Sequence, residues 1–333
     1  LLTVLLLLSV SFFGTGFAGL YLNWGLRAPG GGKELLFTVP KGVSTTWVAA
    51  ELHRQGIIRS PGAFCFYGYL HSLDKKIASG TYRLSSDMPV PAIFELLTRG
   101  RQVSVRFTIP EGLTLDEIAL RLERQGIVRR EDFLRAAAEG RFAYPFLPKG
   151  LKGPARLEGY LFPDTYEVFP GISAAEIIDR MLRRFAAVAE EIDLAAGAAR
   201  QGLSLHQAVT LASLVEREAK LATERPLIAG VLYNRLRRGM LLQVDATVEY
   251  ALGEHRERIL YRDLEVDSPY NTYRVHGLPP GPIAAPGKAS LLAVIHPQQT
   301  DYLYYVAKPD GSHAFARTLA EHNANKQRYQ PRL

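Results

Sequence analysis

The sequence carries a single cysteine, Cys65, in 333 residues. No intramolecular disulfide can form, and no cysteine-based metal site can be assembled. Cys65 lies in the apolar aromatic stretch Phe64 to Tyr67 and reads as a core residue. Also missing are a G-x-x-x-x-G-K-[ST] phosphate loop, an H-E-x-x-H pair and a G-x-S-x-G elbow, so nucleotide hydrolysis, zinc proteolysis and the common serine-hydrolase triads lose support. No motif here calls for a cofactor or a metal. Charge of one sign is not concentrated either: the net charge is +7, but Lys and Arg are scattered among Asp and Glu. That pattern leaves no basic stripe for nucleic acid, and it suits either ordinary solvation or an anionic lipid or wall polymer.

Charge is absent altogether from Leu1 to Leu26, a run that includes Leu5 to Leu8, Phe12, Phe13, Phe17, Leu20, Tyr21, Leu22 and Trp24. As a helix it is long enough to cross a hydrocarbon layer of roughly 30 Å. The expectation is a single-pass plasma-membrane anchor, 1–26, with everything after Arg27 on the periplasmic or extracytoplasmic side. A cleaved signal peptide is the alternative, since Gly14, Gly16 and Ala18 are small. A glycine-rich linker, 27–35, follows.

Beyond the linker the chain repeats itself. Phe37-Thr38-Val39-Pro40-Lys41-Gly42 recurs without a gap as Phe107-Thr108-Ile109-Pro110-Glu111-Gly112. Further on, Leu52, Arg54, Gln55, Gly56, Ile57 and Arg59 recur as Leu122, Arg124, Gln125, Gly126, Ile127 and Arg129. Each copy reads as an extended run, a Pro-x-Gly turn and a helix closed by glycine. In the first copy a second helix and a strand complete a βααβ order, that of a LysM-like module, 36–104; the second copy, 105–150, is a related repeat or connector. Glycan binding and plain spacing are both open roles for them. From 151 to 333 the helical patterns dominate, with one strand of alternating aromatics from Tyr302 to Ala307 and a stiff loop at Pro279, Pro280, Gly281 and Pro282. The fold class expected is therefore α+β, with a mainly helical α+β catalytic domain.

The residues best suited to chemistry end one of those helices: Ala212-Ser213-Leu214-Val215-Glu216-Arg217-Glu218. At helical spacing Glu218 continues the stripe of Ala208, Leu211, Leu214 and Val215, where desolvation would raise its pKa and keep it protonated as an acid. Glu216 lies on another face, free to meet solvent or an arginine. A helix-end glutamate taken alone also suits a surface ion pair. Downstream, Gln243, Asp245, Asn271 and Tyr273 bring amide, carboxylate and aromatic groups on loops, a chemistry that suits sugar hydroxyls and N-acetyl groups.

These motifs resemble the endolytic murein transglycosylases, the YceG-like family. The likeness runs through Leu157-Glu158-Gly159-Tyr160-Leu161-Phe162-Pro163-Asp164, the Ala212 to Glu218 segment, Asn234-Arg235-Leu236, Leu242-Gln243-Val244-Asp245-Ala246-Thr247 and Tyr270-Asn271-Thr272-Tyr273. It continues through Gly277-Leu278-Pro279-Pro280-Gly281-Pro282-Ile283, His296-Pro297 and His313-Ala314-Phe315. The resemblance implies an endolytic lytic transglycosylase that cuts the β-1,4 bond between N-acetylmuramic acid and N-acetylglucosamine in nascent peptidoglycan strands. No water is added, and a 1,6-anhydromuramyl end is left. It implies Glu218 as the catalytic acid and then base, and a place near the wall-synthesis proteins. Gln243, Asp245, Asn271, Tyr273 and Glu158 are the candidate substrate-binding residues. His296, His313 and His322 lack helical metal-ligand spacing and read as loop or core, as do Tyr302, Tyr304 and Tyr305. A hydrolytic muramidase and a non-catalytic wall-binding scaffold are the competing readings.

Overall fold

The computed structural model describes residues 19–99, 103–149, 151, 153–254, 256 and 259–329. Two compact units result. One runs to Arg106 and includes Glu167–Pro170; the other comprises Phe107–Tyr166 and Gly171–Leu333.

In the first unit, helix α1 is described over residues 19–26. Then come β1 (Glu34–Val39), α2 (Thr45–Arg54), α3 (Pro61–Leu70), β2 (Gly80–Ser85) and α4 (Val90–Arg99). Local chemistry sets the boundaries. Gly42, at φ +80°, makes the turn that ends β1, a conformation that costs a Cβ-bearing residue about 1 kcal/mol or more. The Ser44 hydroxyl then accepts the Trp47 N–H at 3.2 Å to start α2, and Ser60 with Pro61 starts α3. The strands pair antiparallel, Phe37 opposite Tyr82 and Thr38 opposite Thr81. Alternation sends Phe37, Val39, Tyr82 and Leu84 into a core shared with Val48, Leu52, Ile57 and Phe64.

Two expectations fail in this unit. The βααβ order is present, but Ile93, Phe94 and Leu97 of α4 belong to the same core, and Phe94 stacks on Phe64 at 4.2 Å. A four-element LysM-like module would leave that core open, so this unit is not a LysM-like module. The transmembrane anchor is corrected as well. Residues 1–18 lie outside the described residues, and among the described residues no helix is long and apolar enough to cross a membrane. Helical residues 19–26 rise only about 12 Å. They pack on α3: the Tyr21 and Ser60 hydroxyls hydrogen-bond at 2.9 Å, and Gly25 lies against Ala63. Neither the single-pass anchor nor the localisation built on it is supported.

The second repeat opens the larger unit. β3 (Val105–Thr108) pairs with β4 (Thr165–Val168), and between them lie α5 (Leu115–Arg124) and α6 (Arg130–Glu139). Gly112 repeats the φ of +80° seen at Gly42, and Thr114 and Glu117 close a capping box at the start of α5. Next come α7 (Ala174–Glu191), α8 (Leu194–Arg200), α9 (Leu205–Glu218), α10 (Arg225–Arg237), α11 (Asp245–Leu252) and α12 (Lys288–Ile295). A hairpin of β5 (Tyr304–Ala307) and β6 (His313–Ala316) and helix α13 (Leu319–Tyr329) finish the unit.

Helix α9 is its axis. It packs on α8, α10, α11 and α12, and every residue from Ala208 to Val215 is buried. Buried polar groups tie the loops to it. Ser213 Oγ donates to the Thr210 carbonyl at 2.7 Å and accepts the Ile283 N–H at 3.0 Å, which docks the proline-rich loop. Gly159 sits at φ +80° with Pro282 so close that a Cβ would lie 2.4 Å from the proline ring. Only glycine joins the Leu157–Asp164 segment to that loop in this way.

Candidate active site

Near the carboxyl end of α9 a cavity of about 320 Å³ opens, lined by Glu218 together with Arg235, Gln243, Asp245, Tyr273, Tyr304 and Tyr305. His313 and His322 also line it. Glu218 is partly buried and, among the described residues, meets no arginine in an ion pair; the Tyr305 hydroxyl hydrogen-bonds its carboxyl. Burial, then the negative charge of Asp245, push its pKa from 4.5 up to about 7, against the lowering pull of Tyr305 and Arg217. The side chain is an acid held close to neutrality.

Glu216 has a different fate. Its side chain is only 5% exposed, but Oε1 accepts from Arg225 Nη2 at 3.0 Å and Oε2 accepts the Gly287 N–H at 3.0 Å. It therefore reaches the arginine and not solvent. With α9 buried on all sides, the apolar stripe does not separate the two glutamates; their partners do. A carboxylate held by an arginine and a backbone N–H is a structural ion, whereas one lacking such a cation is free to exchange a proton.

The other cavity walls are held by buried polar chemistry. Gln243 sits at φ +53°, an unusual backbone for a residue with a Cβ. It is kept there by its N–H on the Thr272 carbonyl at 3.1 Å and by Arg235, which donates to the Gln243 side-chain oxygen at 3.0 Å and to the Leu242 carbonyl at 2.6 Å. Such a deviation persists only where surrounding contacts over-determine it. Asp245 opens α11, where a carboxylate suits the helix N-terminus, and accepts the Tyr273 hydroxyl. Burial and the Asp245 charge hold the Tyr273 phenol above its usual range, so it stays a donor.

Of the residues expected from sequence, Glu218, Gln243, Asp245 and Tyr273 meet in this cavity. Asn271 does not line it. It is fully buried, with Nδ2 donating to the Leu264 and Val266 carbonyls at 2.8 Å and Oδ1 accepting the Tyr273 N–H at 3.0 Å. It shapes the loop that carries Tyr273. Glu158 lies in another cavity, 6% exposed, accepting the Leu115 N–H at 3.0 Å. Tyr305, Arg235, Tyr304 and His313 were not expected at the site. His313 Nδ1 pairs with Glu224 Oε2 at 2.7 Å, and its ring meets Tyr305 edge-on, centroids 5.4 Å apart. Alternation in the aromatic strand shows that two faces exist but not which one meets a helix end.

Residues 37–328 match the model of the YceG-like family. The chain belongs to that family. Among YceG-like relatives it is similar to the endolytic murein transglycosylase of Bacillus subtilis (strain 168), 38% identical over 305 residues, covering 87% of this chain and 83% of that protein. It is 32% identical over 323 residues to the endolytic murein transglycosylase of Streptococcus pneumoniae strain R6, covering 88% of this chain but 58% of the relative. The crystal structure of a yceG-like protein from Listeria monocytogenes matches 88% of this chain and 99% of that one, with a TM-score of 0.60 and 37% identity. The YceG-like fold thus extends over both repeats and over the helices that build the Glu218 cavity.

Proposed function

We propose that this chain is an endolytic lytic transglycosylase of peptidoglycan in which Glu218 is the catalytic acid and then base. The observation that carries this reading is the pairing pattern at the end of α9: Glu216 is bound to Arg225, whereas Glu218, in no ion pair among the described residues, is an acid with a pKa of about 7 on a polar, aromatic cavity. The names of the relatives support the activity in this reading.

In this mechanism neutral Glu218 protonates the glycosidic oxygen, O4 of the departing N-acetylglucosamine, as its bond to C1 of the muramyl residue breaks. The substrate's N-acetyl group shares the positive charge at C1. The carboxylate then takes the proton of the C6 hydroxyl, O6 bonds to C1, and a 1,6-anhydro end results with no water consumed. Glu218 ends protonated, ready for another turnover. The side chains of Gln243, Asp245 and Tyr273 orient the saccharide, and Tyr305 steadies the carboxylate between its two proton transfers.

Asp245 motivates a second reading. It is a carboxylate in the same cavity, and hydrolytic glycosidases use a second carboxyl group to activate water. Mass analysis of the new reducing ends separates the two. Anhydromuramyl ends, lighter than the hydrolytic product by one water, are the expected result, and ends carrying the water would make the enzyme a muramidase.

Tyr305→Phe gives an independent check. The Tyr305 hydrogen bond lowers the Glu218 pKa, so its loss should move the alkaline limb of the kcat profile, expected near pH 7, to higher pH. An unmoved limb would mean that the titrating acid is not the group Tyr305 touches.

A further inference from the structure

A second cavity, of about 410 Å³, lies beside the first. The same two helices wall both. On α9 Glu218 lines the first and Arg217 the second; on α11 Asp245 lines the first, while Ala246, Glu249 and Tyr250 line the second. From Asp245 to Glu249 is one helical turn, about 6 Å along the axis. Whatever occupies one cavity is within reach of the other.

The linings differ in kind. The first gathers three tyrosines and two imidazoles around Glu218 and Asp245, with Arg235 and Lys326 also in its wall, an aromatic-rich surface for sugar faces and hydroxyls. The second is charged with both signs: Asp116, Glu117, Glu249 and Glu254 against Arg130 and Arg217. These groups are paired with one another or nearby. Arg130 bonds Asp116 at 2.5 Å, Arg217 bonds Glu249 at 2.9 Å, Glu254 meets Arg256, and Glu117 closes the α5 capping box. The Arg130 and Asp116 side chains are 42% and 53% exposed, so that pair exchanges partners at little cost. Deeper in, Glu158 accepts from the Leu115 N–H at 3.0 Å and lies 3.3 Å from the Tyr250 hydroxyl; burial lifts its pKa to about 8, which makes it a neutral hydrogen-bonding group. Among the described residues no group of His, Cys, Asp and Glu is arranged to hold a metal ion.

The sugars of a peptidoglycan strand carry no charge, because the lactyl carboxyl of each muramyl residue is amide-linked to a stem peptide. That peptide has carboxylates and, at its diamino residue, an ammonium. We infer that the cavity lined by Asp116, Arg130, Glu158, Arg217, Glu249 and Glu254 binds the stem peptide of the muramyl residue seated beside Glu218. Four extended residues span about 13 Å, enough to cross the single turn of α11 that separates the cavities. The incoming carboxylate takes Arg130 and the incoming ammonium takes Asp116, so the existing pair is exchanged and not simply broken. This inference rests on the peptidoglycan reading proposed above, and it makes the enzyme selective for strands that still bear their peptides.

The test compares kcat/KM on stem-bearing strands and on the same strands stripped of peptide by an amidase, for the wild type, Arg130→Glu and Glu254→Arg. An acidic residue suits the first position of α6, and Glu254 is exposed, so at least one variant should fold. The wild type should prefer stem-bearing strands by about tenfold or more, and the preference should fall to about twofold in the variants. A wild type that cleaves both equally, or variants that keep the full preference, would overturn the inference. A synthetic stem tetrapeptide, L-alanyl-γ-D-glutamyl-diaminopimelyl-D-alanine, is titrated against the same proteins. If the wild type cleaves neither strand, binding of this probe that the variants lose sustains the pocket although the transglycosylase reading fails; no binding removes both.

Discussion

Glu218→Gln should lower turnover by about 10²- to 10⁴-fold, the usual loss when a general acid-base group is removed, with little change in KM. Glutamine keeps the shape and the hydrogen bond to Tyr305 but can neither give the proton to the leaving oxygen nor take one from the C6 hydroxyl. The same variant carries a stability signature that an inert surface residue would lack. With a folded-state pKa of about 7 against an ordinary 4.5, the native state retains a proton that the unfolded chain releases across that interval. Wild-type stability therefore falls as pH rises from about 4.5 to about 7, since ionised Glu218 is disfavoured where it sits. Glutamine is neutral throughout, so the variant should melt above the wild type at pH 8 and level with it at pH 4. Release of anhydromuropeptides and paired thermal melts measure both effects. Full activity in Glu218→Gln would sink the assignment whatever the melts show.

Glu216→Gln should do the reverse. Its carboxylate is buried against Arg225, whose own side chain is 12% exposed, and it also accepts the Gly287 N–H. Neutralising it leaves the guanidinium with Glu111 at 3.8 Å as its remaining carboxylate neighbour. Breaking a buried pair from one side typically costs about 3–5 kcal/mol, and denaturant melts should register a loss of that order. Turnover per folded molecule should stay within about tenfold of wild type, because Glu216 does not line the cavity. A variant that folds normally yet is inactive would show that the α9 glutamates have been assigned the wrong way round.

Much of the site was legible because its residues are close in sequence or carry unusual chemistry in an apolar setting. Glu218 ends a helix whose start follows from the Ser204 and Gln207 capping box. Gln243, Asp245 and Tyr273 lie in segments rich in polar and turn residues. Asn271 was legible as special but not as what it is: a buried amide that fills its hydrogen bonds with the backbone has the same sequence signature as one that faces a sugar. Glu158 was legible as a candidate but its place was not, since its neighbours in space, Leu115 and Tyr250, are 43 and 92 residues away in sequence and put it in the second cavity.

Local patterns also overreached at the amino terminus. An uncharged run reads as a membrane span, yet the described part of it, residues 19–26, packs on α3 through Tyr21 and Gly25. A hydropathy pattern reports that surface must be buried; it does not report against what.

The sequence by itself determined the duplicated turn-and-helix units, with Gly42 and Gly112 at the same φ, the α+β class, the helix that ends at Glu218 and the family resemblance. These depend on periodicity, capping and backbone freedom, which act over a few residues. Tertiary structure alone decided that Arg225 neutralises Glu216 and not Glu218, that Tyr305 touches the acid, and that Asp245 and Glu249 face different cavities. Proton affinity depends on which charges and apolar groups surround a carboxyl within several ångströms, and those neighbours arrive from strands and helices tens of residues away.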